Sequence, residues 1–276
     1  MVTDMATKFN LPLHGPFPST PMEYLPQDLK TQIFLNEKGI TDYQSRVGSV
    51  LYIAMHSRPD ILFATSTCTT KTKNPTMQDL AAINRVITYL VGTKDLSLKL
   101  GSDEGVVLYG TVDASYATNE DSRSHTGFTL HIGKDSGAIM ATSKKQKIIA
   151  DSSTIAEFIA THIVAKEILW CRRLLASLSY PQPEPTILFE DNKSTISMIK
   201  NKCNGKRTKH IDVRYNLIRE LCEKMIISMT YLASGDMTSD TLTKSLAPGP
   251  FNHLRKKKWE ILPSTSFVIY FKKSEN

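Results

Sequence analysis

The stretch from Ser152 to Leu178, SSTIAEFIATHIVAKEILWCRRLLASL, constrains the fold of this chain more than any other. It reads as one long helix, with three hydroxyl residues, Ser152, Ser153 and Thr154, ahead of the periodic part. Apolar residues such as Phe158, Ile159, Ile163, Val164, Ile168 and Leu175 cover most of its circumference. Only a narrow stripe through His162, Lys166, Arg173 and Ser177 is polar. A helix that apolar must be buried on most sides, against a sheet or within a large core. Its first turn nevertheless carries a carboxylate, Glu157. With Thr154 three residues before it, the plain structural reading is a capping box.

Composition narrows the class of molecule. Of 276 residues 41% are hydrophobic, enough for a substantial core and too many for a disordered chain. Lys and Arg number 34 against 27 Asp and Glu, a net charge of +7 that favours an anionic partner such as nucleic acid. Cys68, Cys171, Cys203 and Cys222 have neither CxxC pairing nor zinc spacing and read as reduced thiols. No apolar run is long enough to span a membrane, and no secretion signal is visible.

Prolines at 12, 16, 18, 21 and 26 predict little structure before Gln27, with a short helix over 27–38. Residues 41–92 read as three helices, broken at Arg58-Pro59-Asp60 and Asn74-Pro75-Thr76 and ended by Gly92. The period then changes. Leu96 to Leu100 alternates as a strand does. Val106 to Val112, Thr126 to Ile132 and Ala138 to Thr142 read as a three-stranded meander. After the long helix, Thr186 to Phe189 is a short apolar strand suited to the centre of a sheet. Helices at 194–200 and 212–224, a strand at 225–232 and a short helix at 238–246 follow. This order predicts a mixed sheet with helices packed on it.

Four carboxylates fall where such a topology converges. Asp113 ends the first meander strand, Glu157 opens the long helix, Asp191 follows the apolar strand, and Asp240 opens the last short helix. A strand–helix–strand crossover would set the Asp113 and Asp191 strands parallel and adjacent, with both acids at one end. Acids gathered without paired bases repel one another unless they hold divalent cations. Each also has a local structural reading, as a turn, a cap or a helix-start residue.

The segments VDASYA (112–117), SRSHTGF (122–128), SKKQK (143–147), SSTIAEFIA (152–160), EDNKSTI (190–196), RTKHIDVRYNLIRE (207–220) and SDTLTKSL (239–246) occur in one order. In these the chain resembles the ribonuclease H domain at the C-terminus of copia-type retrotransposon Pol polyproteins. YQSRVGSVLYIAMHSRPDILFAT and NRVITYLVGT, within 43–93, resemble the segment joining reverse transcriptase to that domain, while no Tyr-x-Asp-Asp of a polymerase occurs. The resemblance implies an α/β ribonuclease H-like fold, a five-stranded mixed sheet with helices on both faces, preceded by a small helical segment. The implied divisions are 1–98 (thumb or connection), 99–247 (ribonuclease H) and 248–276 (a basic tail with RKKK at 255–258). Asp113, Glu157, Asp191 and Asp240 would be the catalytic, metal-binding acids, holding two Mg²⁺ with Mn²⁺ as substitute.

The implied activity is endonucleolytic hydrolysis of the RNA strand of an RNA–DNA hybrid by two-metal chemistry. The implied partners are the hybrid and the reverse transcriptase core of the same polyprotein, with no membrane. The implied setting is intracellular, in a cytoplasmic virus-like particle or the nucleus. Arg123, Ser124, Lys144, Lys145, Gln146, Asn192, Arg207, Lys209 and His210, in loops around the acids, are the candidates for gripping nucleic-acid backbones. Ser115, Tyr116 and Ile155 depart from the family pattern, and no loop His precedes Asp240 within 233–239. One alternative is a catalytically silent remnant that still binds nucleic acid or protein. Another is an integrase or transposase of the same fold, disfavoured because position 226, about 35 residues after Asp191, is Ile.

Overall fold

The structure is a computed structural model. It describes residues 1–23, 32–101, 105–119, 121–134, 136–200 and 209–258, the side chains of 209–215 and 257–258 excepted. Two compact units result. One comprises Met1–Leu98 with the described residues from Lys244 onward, and the other Lys99–Thr243.

The first unit is helical: α1 (Val2–Lys8), α2 (Glu37–His56), α3 (Leu62–Thr69), α4 (Met77–Gly92) and α8 (Pro248–Lys258). The starts of α2 and α4 are set by local chemistry. The Asn36 side chain accepts the Gly39 N–H at 2.9 Å. Thr76 and Asp79 form a capping box in which each side chain accepts the other's backbone N–H. Tyr43, Val47, Val50, Ile83, Ile87 and Leu90 fill the core. A buried polar knot joins these helices. Arg58 pairs bidentately with Asp60 at 2.7 and 2.8 Å, and Tyr89 and Arg255 extend the network through the Tyr89 hydroxyl.

Three features of this unit differ from the sequence expectation. Residues 2–8 precede the first proline and form α1, whose Met5 and Ala6 are buried. In the expected helix 27–38, residues 27–31 lie outside the described residues, 32–36 are not helical, and α2 begins at Glu37. The basic segment at 255–258 starts inside a helix, α8, that buries Phe251 and Leu254 and turns Arg255 toward Tyr89. Trp259 and the later lysines lie outside the described residues.

The second unit is a five-stranded sheet in the order β3-β2-β1-β4-β5. The strands are β1 (Leu108–Ser115), β2 (His125–Ile132), β3 (Ala138–Lys145), β4 (Thr186–Glu190) and β5 (Ile227–Tyr231). β1–β2 and β2–β3 pair antiparallel, while β1–β4 and β4–β5 pair parallel. The mixed sheet is the one expected, with β1 at its centre and the Asp113 and Asp191 strands adjacent and parallel. The alternating run Leu96 to Leu100 forms no strand; Lys99 contributes one backbone bond, accepting the Gly137 N–H. It is short, with Leu96 and Leu98 half-buried and Leu100 exposed, so its alternation builds no buried face.

α5 (Ser153–Ser177) covers one face of the sheet, with α6 (Lys193–Lys200) and α7 (Lys209–Glu223) beside it. Leu108 and Val112 of β1, Phe128 and Leu130 of β2 and Leu188 of β4 meet Phe158, Val164 and Ile168 there. Each such fully buried side chain contributes roughly 1.5–3 kcal/mol. A 3₁₀ turn at Thr238–Leu242 lies on the opposite face, against β1 and β2. It sits so close that a Cβ on Gly127 would meet Thr243 Cγ2 at 2.7 Å and Leu242 Cβ at 2.8 Å. Only glycine fits in the SHTGF segment at that position. The interior of this face is polar. Thr111, Thr129 and Thr238 hydroxyls bond in series, and His131 Nε2 lies 2.7 Å from Thr129 Oγ1.

Candidate metal centre

The C-terminal ends of β1 and β4, the start of α5 and the 3₁₀ turn meet at one end of the sheet. The β1–β4 register pairs Thr111 with Phe189, so continuing it sets Asp113 beside Asp191. Oxygens of Asp113, Asp191 and Asp240 all lie within 4.8 Å of one another. So do oxygens of Glu157, Glu190 and Asp191, which makes Asp191 common to both groups. All four acids singled out in the sequence are thus brought together, Asp113, Glu157 and Asp240 buried and Asp191 half-buried.

Hydroxyl and amide donors hold these carboxylates. Thr243 Oγ1 donates to Asp113 Oδ2. Ser234 Oγ donates to Asp191 Oδ2 at 2.6 Å. The Ala114 amide donates to the Glu157 carboxylate. The capping-box reading of Glu157 is overturned: Ser152 caps α5 by accepting the Ile155 N–H, and Glu157, a turn further in, points into the acid cluster.

Glu190 was not among the expected site residues. It ends β4 on the same side as Leu188 and Thr186, toward α5, and is fully buried. Its Oε1 accepts the Asn192 N–H at 3.1 Å, and its Oε2 lies 3.3 Å from the Thr161 hydroxyl, one helical turn beyond Glu157. The period-2 pattern of 186, 188 and 190 was the signal that could have found it.

Burial, then the carboxylates of Glu190, Asp113 and Asp191, push the Glu157 carboxyl well above the usual carboxylate range. Burial also raises Glu190, with Asp191 and Asp113 adding to it against the Asn192 N–H. The charges acting on Glu157 are all of its own sign, and its Oε2 accepts no hydrogen bond. Oxygen-only donors, crowded, buried and carrying an open acceptor, fit a hard divalent cation such as Mg²⁺ or Mn²⁺.

The candidate nucleic-acid residues separate into two groups. Arg123 and Lys145 reach Asp121 at 3.7 and 2.6 Å, and Lys144 is exposed. Ser124 and Gln146, by contrast, are buried. Ser124 Oγ accepts the Ala117 N–H, and the Gln146 amide donates to Thr126 Oγ1 and the Ala156 carbonyl, tying β2 to the start of α5. Asn192 caps α6 by accepting the Thr195 N–H at 3.0 Å. Arg207 and the side chains of Lys209 and His210 lie outside the described residues.

The strand order, with the long helix between β3 and β4 and the acids at the shared end of β1 and β4, defines a ribonuclease H-like α/β domain. No protein-family model matches the chain. The chain is homologous to the retrovirus-related Pol polyproteins of transposons. It is 35% identical over 210 residues to the Pol polyprotein of transposon TNT 1-94 from Nicotiana tabacum, covering 76% of this chain and 16% of that one. It is 30% identical over 218 residues to the Pol polyprotein of transposon RE1 from Arabidopsis thaliana, covering 79% and 15%. The chain therefore spans about one sixth of these curated relatives. Among solved structures it is similar to LC11-RNase H1 in complex with an RNA/DNA hybrid, at TM-score 0.38 and 10% identity, over 49% of this chain and 93% of that one.

Proposed function

We propose that this chain is the ribonuclease H region of a copia-type retrotransposon Pol polyprotein and hydrolyses the RNA strand of RNA–DNA hybrids during reverse transcription. The observation that carries the reading is the convergence of Asp113, Glu157, Asp191 and Asp240 at one end of the sheet. Homology to transposon Pol polyproteins supports the setting.

In this reading Asp113, Asp191 and Asp240 would hold one cation, and Glu157 and Asp191 a second. Held there, divalent cations would supply Lewis acidity, lowering the pKa of a bound water and offsetting charge on the departing oxygen. The chain's own part is positioning. Thr243 and Ser234 fix the carboxylates of Asp113 and Asp191, so the donor set is in place before substrate arrives. Arg123, Lys144 and Lys145 supply salt-sensitive affinity for the backbones, and the 2′-hydroxyl separates RNA from DNA. Hydrolysis breaks the P–O3′ bond and leaves 3′-hydroxyl and 5′-phosphate ends. The reverse transcriptase core of the same polyprotein is the proposed protein partner. Among the described residues no helix is long and apolar enough to cross a membrane.

The test is a labelled RNA–DNA hybrid beside double-stranded RNA, double-stranded DNA and single-stranded RNA, with Mg²⁺ or Mn²⁺. The expected result is cleavage of the hybrid's RNA strand alone, abolished by Asp191→Asn. Cleavage of DNA, or an active Asp191→Asn protein, refutes it. Hybrid binding without cleavage by the unaltered chain would make it a silent remnant.

A further inference from the structure

We propose that Glu190 is a fifth carboxylate of this centre, binding a divalent cation directly together with Glu157 and Asp191. The proposal rests on the metal-centre reading above and adds to it a residue outside the expected four.

Strand parity places Glu190 under α5, where Glu157 and Thr161 face it from successive turns. Its oxygens and those of Glu157 and Asp191 fall within 4.8 Å of one another. Around an octahedral Mg²⁺ neighbouring oxygens lie roughly 3.0 Å apart and opposite ones roughly 4.2 Å, so rotation of these side chains within the 4.8 Å group brings all three onto one ion.

Such crowding is relieved by a proton in the cation-free protein or by a bound cation, and the hydrogen bonds exclude only a proton shared between two carboxyls. A shared proton requires a carboxyl–carboxyl hydrogen bond. Glu157 Oε2 makes none, though the residue is only 5% exposed. Glu190 Oε1 accepts the Asn192 N–H, whereas the single proton of the Thr161 hydroxyl, 3.3 Å from Oε2, has the Glu157 carbonyl nearer at 2.9 Å. Glu157 Oε2 is thus a buried oxygen without a hydrogen-bond partner on a side chain grouped with Glu190 and Asp191. A buried acceptor without a donor is costly unless a cation meets it. Three hard oxygen ligands on rigid elements suit Mg²⁺ or Mn²⁺.

The experiment is calorimetric titration of Mn²⁺, then Mg²⁺, into the chelator-stripped full chain. The unaltered protein is compared with Glu190→Gln, Glu157→Gln and Asp240→Asn, each checked by circular dichroism. Glu190→Thr serves as a second variant if Gln is not accommodated. The expected result is two cations in the unaltered protein. Glu190→Gln and Glu157→Gln weaken the same one by roughly tenfold or more, as loss of a supporting ligand does. Asp240→Asn weakens the other. Unchanged binding by the Glu190 variants alongside weakened binding by Glu157→Gln overturns the role of Glu190 and leaves the proposed function standing. Failure of the unaltered protein to bind any divalent cation overturns the metal-centre reading itself.

Discussion

Replacing Glu157 by Gln should make the cation-free protein more stable and less responsive to divalent cations. Glu157 is buried beside Glu190 and Asp191, with oxygens no more than 4.8 Å apart. Two unit charges at 4.8 Å and an effective dielectric constant of 20 repel by about 3.5 kcal/mol. Part of this is already relieved, because the raised Glu157 carboxyl keeps its proton to higher pH than a free glutamate. Gln keeps the shape, removes the charge and offers an amide that can donate to Glu190 or Asp191. A net gain of about 1–3 kcal/mol in chelator follows, a rise of roughly 2–12 °C in thermal midpoint at about 2–4 °C per kcal/mol. The assay is thermal unfolding of both proteins in EDTA and across a Mg²⁺ series. The unaltered chain should gain strongly from Mg²⁺ and the variant weakly. A lower midpoint for the variant in EDTA, or equal Mg²⁺ gains, would refute the argument that Glu157 is an uncompensated site carboxylate.

Two further outcomes follow from the same unit. Burial, with Lys145 adding to it, pushes the His125 imidazole down to about 4, below its unfolded value, so its stabilisation is complete above about pH 6.5 and is lost as pH falls toward 4. Urea titrations should show acid destabilisation of about 1.4 kcal/mol per pH unit in that window, flattened in His125→Asn. Gly127→Val drives a side chain into Thr243, Leu242 and the Ser239 carbonyl at 2.7–3.0 Å. It should cost about 1–3 kcal/mol in denaturant unfolding and weaken Mn²⁺ binding by displacing the turn that carries Asp240; unaltered Mn²⁺ affinity would contradict that coupling.

The turn is held from below as well. The Ser143 hydroxyl donates to the Leu242 carbonyl at 2.6 Å, so His125 Nε2, 2.8 Å from Ser143 Oγ, is the donor to it. Arg172 works similarly on the proline-rich connection between α5 and β4, donating to the Gln182 and Glu184 carbonyls and to Thr186 Oγ1. Gln182 then reaches β1, donating to the Val106 carbonyl and accepting the Leu108 N–H. None of these ties has a sequence pattern, because each joins residues 10 to 99 positions apart.

The sequence by itself determined most elements of the sheet unit. The near-continuous apolar surface of α5, the alternation in β2 and β3 and the short apolar run of β4 are local patterns, and local patterns are enough to separate a helix from a strand. The meander, the crossover and the adjacency of the Asp113 and Asp191 strands followed, since connection lengths leave few topologies. Tertiary structure decided which side chains face one another. Whether Glu157 capped a helix or entered a site depended on Ser152, rather than Thr154 two residues later, taking the cap. Glu190 became a site residue only through the seating of β4 beneath α5. Thr243 meets Asp113 across 130 residues of sequence. Propensity, capping and periodicity act over a few residues, whereas a cluster of like charges forms only where packing of the whole unit outweighs their repulsion.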